Sequence, residues 1–389
     1  MKLASRMDRL GTESAFEVLA KARALEKTGR SMIHLEIGEP DFDTPAHIEA
    51  AAREALSQGH THYVPAPGIP ELRTSVTDFL SRTGRLNANP DQVIITPGAK
   101  PIMFFAIMAL CEEGDEVLYP DPGFPMYASI TNFAGATPVP VPLREENNFT
   151  IDPDELASLV TDRTKLLILN SPHNPCGSSL TQEQVEAIAK IAIERDLIVL
   201  SDEVYWALQY DGEHRSVLSV PGMAERTILL DGWSKTFAMT GWRLGFGVFP
   251  QKLVEPISRL VINSVSCTSA FSQYAAIAAL DGPWDEVDRM KKAFAERSEI
   301  IVDGLNAIPG VSCVRPGGAF YAFPNIKELG LSSGELSDLL LEKAGVAALP
   351  GTAFGSYGEG YLRFSYANST ENIRAALAAF AELAAEVAK

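Results

Sequence analysis

Short apolar runs, each closed by turn-forming residues and most of them alternating with stretches of helical character, limit what this chain of 389 residues can fold into. They lie at 92–95, 116–119, 137–141, 165–170, 197–200 and 227–230. Runs this short, rich in Val, Ile and Leu, read as strands buried on both faces. Strands that alternate with helices predict an α/β protein, with a mostly parallel sheet sandwiched by helices. In such a sheet the ligand binds beyond the carboxyl ends of the strands. Gly98, Phe124, Asn174, Asp202 and Lys235 all fall at such ends.

The flanks read differently. Residues 1 to about 30 suggest an arm and a helix ending at Gly29. A strand follows over 33–37, then a helix with Thr44 as N-cap and Pro45 in its first turn. Past residue 285 come a long charged helix over 284–306 and strands over 311–314 and 319–323. A helix over 333–343 and strands over 346–349 and 360–365 follow. A last helix from Thr370 has Ile373, Leu377, Phe380, Leu383 and Val387 at helical spacing. The expected division is an N-terminal arm that joins a smaller α+β domain (1–45), a large domain (46–284) and that smaller domain itself (285–389).

Composition removes several function classes. A net charge of −17 gives nucleic-acid binding no electrostatic support. The four cysteines are widely spaced, which favours a reduced, cytoplasmic protein. Residues 1–16 lack the apolar core of a signal peptide, and the strongest apolar run, 101–111, is too short to cross a bilayer. The six histidines are scattered, so no metal site is expected.

Chemistry concentrates at 226–249, RTILLDGWSKTFAMTGWRLGFGVF. Lys235 follows a buried strand and precedes an apolar segment, so its ammonium is poorly hydrated. Desolvation lowers its pKa and makes the amine nucleophilic, able to form a Schiff base with an aldehyde. Gly98-Ala99-Lys100 opens a helix whose N–H groups and dipole suit an anion. Asp202 stands at a strand end, where the plainer reading of an aspartate is a helix N-cap. Taken alone, Tyr205 and Phe124 are also core aromatics, Asn174 a turn former, Arg243 a structural ion-pair residue and Lys100 an exposed helix-start lysine.

Together these residues resemble a known family. Asn174 in NSPHNPCG, Asp202 and Tyr205 in SDEVY, Lys235 in SKTFAMTGWRLG and Arg363 in YLRFSYA occur in the order seen in class I aminotransferases. These are pyridoxal 5'-phosphate (PLP) enzymes of fold type I. The resemblance covers nearly the whole chain, from GEPDFDTP to the last helix, and is nearest to the bacterial aspartate aminotransferase subgroup. It implies that Lys235 bonds PLP and then acts as general base, and that Asp202 pairs with the ring nitrogen. Tyr205 and Asn174 would hold the phenolate oxygen, and Phe124 would stack on the ring. Gly98, Ala99, Lys100, Ser234 and Arg243 would hold the phosphate. Tyr63 would reach the neighbouring subunit's phosphate, which implies a homodimer with shared active sites. Arg363, helped by Gly38 and Asn174, would bind the substrate α-carboxylate, and Lys100 would contact a distal carboxylate.

Two positions depart from that pattern. Gly232 stands where many relatives carry a phosphate-binding serine. Ala15-Phe16 stands where the subgroup tends to have a threonine lining the side-chain pocket. The expected function is amino transfer from aspartate, or a broad or aromatic donor, to a 2-oxo acid such as 2-oxoglutarate by a ping-pong route. A PLP-dependent C–S lyase on the same fold is the alternative.

Overall fold

The structure, a computed structural model describing residues 2–387, is organised around a seven-stranded sheet. Its strands are β1 (Val93–Thr96), β2 (Glu116–Asp121), β3 (Thr137–Pro142), β4 (Thr164–Asn170), β5 (Ile198–Asp202), β6 (Thr227–Gly232) and β7 (Gly245–Val248). The order across the sheet is β1-β7-β6-β5-β4-β2-β3, with β7 antiparallel to both neighbours and the other pairs parallel. The mostly parallel α/β sheet expected from the sequence is therefore present.

Alternate residues of β4 and β5 enter opposite cores. Leu167, Leu169 and Val199 pack with the helix Gln182–Glu194, whereas Leu166, Ile168 and Leu200 pack with the helix Lys100–Leu110. None of these six is more than 2% exposed. At about 1.5–3 kcal/mol for each fully buried aliphatic side chain, this two-sided burial is the main stabilising term for the sheet. Register then aligns the strand ends: Asn170 pairs with Asp202, and Asp202 with Leu230. Polar side chains at those ends share one edge.

Later residues build two small sheets. Leu349–Pro350, Leu362–Ser365 and Tyr321–Ala322 form an antiparallel sheet, and Ile33–His34 pairs in parallel with Val346–Ala347. They share a core with the helices Asp285–Asn306 and Thr370–Val387, through Phe294, Ile301, Phe320, Phe364 and Phe380.

Several local expectations are corrected. The strand over 33–37 is only Ile33–His34, because the chain bends at Glu36. Thr44 does not cap the helix Ala46–Ser57; its hydroxyl donates to Ala238 O at 2.9 Å instead. Residues 311–314 contribute only an isolated bridge, Ser312 to Asn325. The strand over 346–349 splits into Val346–Ala347 and Leu349–Pro350, serving different sheets. The helix over 333–343 is α-helical for Ser333–Leu339 and continues as a wider turn through Leu340–Ala344. Helices Met126–Ala134, Pro153–Leu159, Gln251–Ser264 and Ala270–Asp281, and strand β7, were not anticipated.

One buried ion cluster ties this frame together behind the strand ends. Arg85 donates to Asp231 Oδ2 at 2.7 Å and to Glu203 Oε2 at 2.7 and 3.2 Å, with its guanidinium 4.4 Å from the Trp206 ring centroid. His214 Nε2 lies 2.9 Å from the same Glu203 oxygen. Burial opposes ionisation of Glu203, but Arg85 and His214 outweigh it and hold the carboxyl below its ordinary range. Removing one member of a buried cluster leaves charge uncompensated, which costs about 3–5 kcal/mol. Arg85→Met should destabilise the protein by that amount in denaturant unfolding; a loss below about 1 kcal/mol would show that the cluster is not a clamp.

Candidate active site

A cavity of about 490 Å³ opens at the carboxyl edge of the sheet. Lys235 enters it from the single helical turn Trp233–Thr236 that follows β6. Trp233 fixes that turn: its ring is fully buried and its Nε1–H donates to Ala276 O at 3.2 Å. The Lys235 ammonium donates to Gly38 O. Burial pushes the amine down to about 8, against Glu39 and with help from the positive charges of Arg363 and Arg243. Near neutral pH it is therefore within reach of its free-base form.

Asp202 faces the same cavity from the end of β5. Its hydrogen-bond partners are both neutral, the Tyr127 hydroxyl at 2.7 Å and the Val204 N–H at 3.4 Å. Burial pushes its carboxyl up to about 7; those two donors oppose the rise, and nearby Asp231 and Glu203 add to it. A cation placed against Asp202 would reverse that shift. Tyr205 Oη lies 2.7 Å from Tyr321 Oη. Tyr127 and Tyr321 were not foreseen, although DPGFPMY and GGAFYAF each place a tyrosine beside a strand end. Sequence alone does not separate such tyrosines from core aromatics.

One end of the cavity rests on two glycines. Gly98, at φ +88°, precedes the helix Lys100–Leu110, and a Cβ there would collide with the Arg243 guanidinium. Gly245 packs on the Gly98-Ala99 backbone so closely that its own Cβ would overlap it. Absent side chains thus let a charged fork and a helix N-terminus converge, an arrangement suited to phosphate. Arg243 is held by donation to Thr240 O at 2.7 Å, and Ser234 lines the same end. The glycine at 232 also has a local reason. A Cβ there would lie 3.0 Å from Leu244 O and 3.2 Å from Gly245 Cα, so β6–β7 pairing leaves little room for a serine.

Arg363 occupies the opposite wall. It is buried, donates from Nη1 to Asn174 Oδ1 at 3.1 Å and from Nη2 to Glu36 O, and stacks 4.5 Å from the Tyr321 ring centroid. Its Nε has no hydrogen-bond partner. Asn174 is fixed in turn by donation from its N–H to Asn170 Oδ1 at 2.9 Å. Gly38 completes this wall; a Cβ on it would collide with the Tyr321 hydroxyl. Phe124 also lines the cavity, with the Lys100 ammonium 5.4 Å from its ring centroid and paired to Glu13. Ala15 and Phe16 lie at the mouth. Tyr63 stands apart, 90% exposed in a surface hollow with His60, His62 and Phe271.

The donor set matches PLP group by group. A depressed amine suits the aldehyde, a buried carboxylate with neutral partners suits a protonated ring nitrogen, and the helix N-terminus with Arg243 suits the phosphate. The model for class I and II aminotransferases matches residues 30–380. The chain is 46% identical over 352 residues to the aspartate aminotransferase of Pyrococcus abyssi, covering 90% of each. It is 43% identical over 381 residues to aromatic-amino-acid aminotransferase 2 of Thermococcus litoralis, covering 97% of each. Its structure is similar to that of the Thermus thermophilus aspartate aminotransferase with maleate, at TM-score 0.94 and 37% identity, covering 98% of this chain and 100% of that one.

The raised carboxyl has a consequence for the cofactor-free protein. Folded Asp202 holds its proton up to about 7, against an ordinary value of 3.8. Between those values the folded state binds more protons than the unfolded one, so stability falls as pH rises. The fall from this group is at most about 1.4 kcal/mol per pH unit. Relative to Asp202→Asn, the cofactor-free wild type should therefore lose stability from pH 5 to pH 7.5 in denaturant unfolding. A difference independent of pH would mean that the carboxylate is ionised throughout.

Proposed function

The chain belongs to the class I and II aminotransferases, and on that premise we propose that it transfers the amino group of aspartate or an aromatic L-amino acid to 2-oxoglutarate by a ping-pong route. It is a PLP-dependent amino-acid transaminase; the relatives matched over nearly its full length are transaminases, and the C–S lyase alternative gains nothing from them. One observation carries the amino-acid assignment: a depressed Lys235 amine shares its cavity with the buried guanidinium of Arg363, a fork suited to an α-carboxylate. Bound PLP supplies a reactive aldehyde and a ring that accepts electron density.

The chain's own residues would then divide the work. Lys235 Nζ would hold the aldehyde, and its free amine would take up a proton from the substrate Cα. Asp202 holds the proton on the ring nitrogen, its position fixed by Tyr127. Tyr205, Asn174 and Phe124 line the same cavity; the first two would hold the ring oxygen and Phe124 would stack on the ring. The N–H groups of Gly98, Ala99 and Lys100, with Ser234 and Arg243, hold the phosphate. Arg363 binds the substrate α-carboxylate through its planar fork, beside Gly38 and Asn174. Lys100 is the cation available to a second carboxylate at the side-chain end.

This reading extends to assembly and place. A homodimer with shared sites is supported by Tyr63, a large side chain left on the surface beside Cys267 and Phe271. The partition into 1–45, 46–284 and 285–389 is supported by the pairing of Ile33–His34 with Val346–Ala347. A cytoplasmic location is supported by four free cysteines. No helix among the described residues is long and apolar enough to cross a membrane.

Lys235→Ala should abolish amino transfer while the circular dichroism of the fold persists; normal turnover would refute the lysine's role. Asp202→Ala should cut kcat at least about a hundredfold. Loss of the cofactor's absorption band on mixing with each of a panel of amino acids should rank aspartate and aromatic donors first. Release of pyruvate and ammonia in place of that conversion would overturn the donor assignment.

A further inference from the structure

The cavity is lined by Lys235, Arg243, Arg363 and Lys100 as its cationic side chains. Lys235 serves the aldehyde, Arg243 packs against the helix N-terminus at Gly98, and Arg363 is buried on the far wall. Lys100 differs: its side chain is 51% exposed, and its ammonium is paired with Glu13, whose side chain is only 18% exposed. Glu13 belongs to a segment pinned on both sides. The Gly11 N–H donates to Ser129 Oγ at 2.8 Å, and Ala15 packs against an apolar core. Phe16, 62% exposed, lies at the same mouth. The start of the helix Ser14–Glu26 therefore offers both a carboxylate and an aromatic ring to the cavity.

We propose that Glu13 sets the choice between acidic and aromatic substrates, by occupying the cation that a second substrate carboxylate needs. The inference rests on the donor assignment above and names the residue that tunes it. A dicarboxylate must displace Glu13 from Lys100 and then sit close to it, like charge against like charge. An uncharged ring instead packs near Phe16 and Phe124 and leaves the ion pair in place. Glu13 thus penalises acidic ligands selectively. A partly exposed pair of this kind changes affinity by up to about fivefold.

Non-reacting ligands isolate the effect. Succinate and 3-phenylpropionate are titrated into the PLP-loaded wild type, Glu13→Gln, Lys100→Met and the double variant by calorimetry. Glu13→Gln should tighten succinate about fivefold and leave 3-phenylpropionate unchanged, and the gain should vanish in the Lys100→Met background. Equal changes for both ligands, no change for succinate, or a gain that survives Lys100→Met would overturn the proposal. Amino transfer is measured separately on the wild type. Failure to use either aspartate or phenylalanine would refute the donor assignment, and the succinate comparison would still decide Glu13.

Discussion

A sheet buried on both faces has few places for ionisable groups, and the edge where its strands end is the main one. Everything distinctive about this protein follows from crowding charge onto that edge. Asp202, Glu203 and Asp231 all lie there, each less than 10% exposed. Arg85 offsets two of them, with His214 beside Glu203. Asp202 is left with neutral partners, which is why burial raises it. A carboxylate in that state is poised for a cationic ring nitrogen in a way that a solvated aspartate is not. The ion cluster behind it and the chemistry in front of it are two faces of one electrostatic arrangement.

The same logic separates the two ends of the cavity. At one end, missing side chains at Gly98 and Gly245 bring a helix N-terminus and Arg243 together. At the other, Arg363 is buried among Asn174, Tyr321 and Phe354, so its guanidinium has little water to compete with a carboxylate. Lys235 lies within the influence of both cations, and its amine is lowered partly by them. Binding groups and the reactive group are therefore electrostatically coupled. A bound anion at either end would relieve part of the pressure on the lysine.

Much of this was legible in the sequence because its signals are local. Buried strands announce themselves as unbroken Val, Ile and Leu runs, and the turns after them carry the chemistry at Asp202 and Lys235. What stayed hidden depends on distant partners. Tyr127 meets Asp202 and Tyr321 meets Tyr205 only once the chain is folded, and neither tyrosine looks different from a core aromatic. Thr44 resembles a helix cap but finds Ala238 instead, a tertiary hydrogen bond that local pattern does not encode. Strand β7 was missed because its glycines obscure a strand signal; they are needed for close approach to Gly98-Ala99 and to Phe249.

The placement of β7 also sets an order of assembly. Among the described residues strand β1 pairs only with β7, Val93 lying against Val248, although the strands from β2 to β6 are made in between. During synthesis from the N-terminus, β1 waits without a ladder partner until β7 has left the ribosome. Gly98 and Gly245, whose close packing brings Arg243 beside the helix start, meet at that same late step. A nascent chain in which β2 to β6 have already paired therefore still lacks the close packing of Gly245 on Gly98-Ala99 that shapes one end of the cavity.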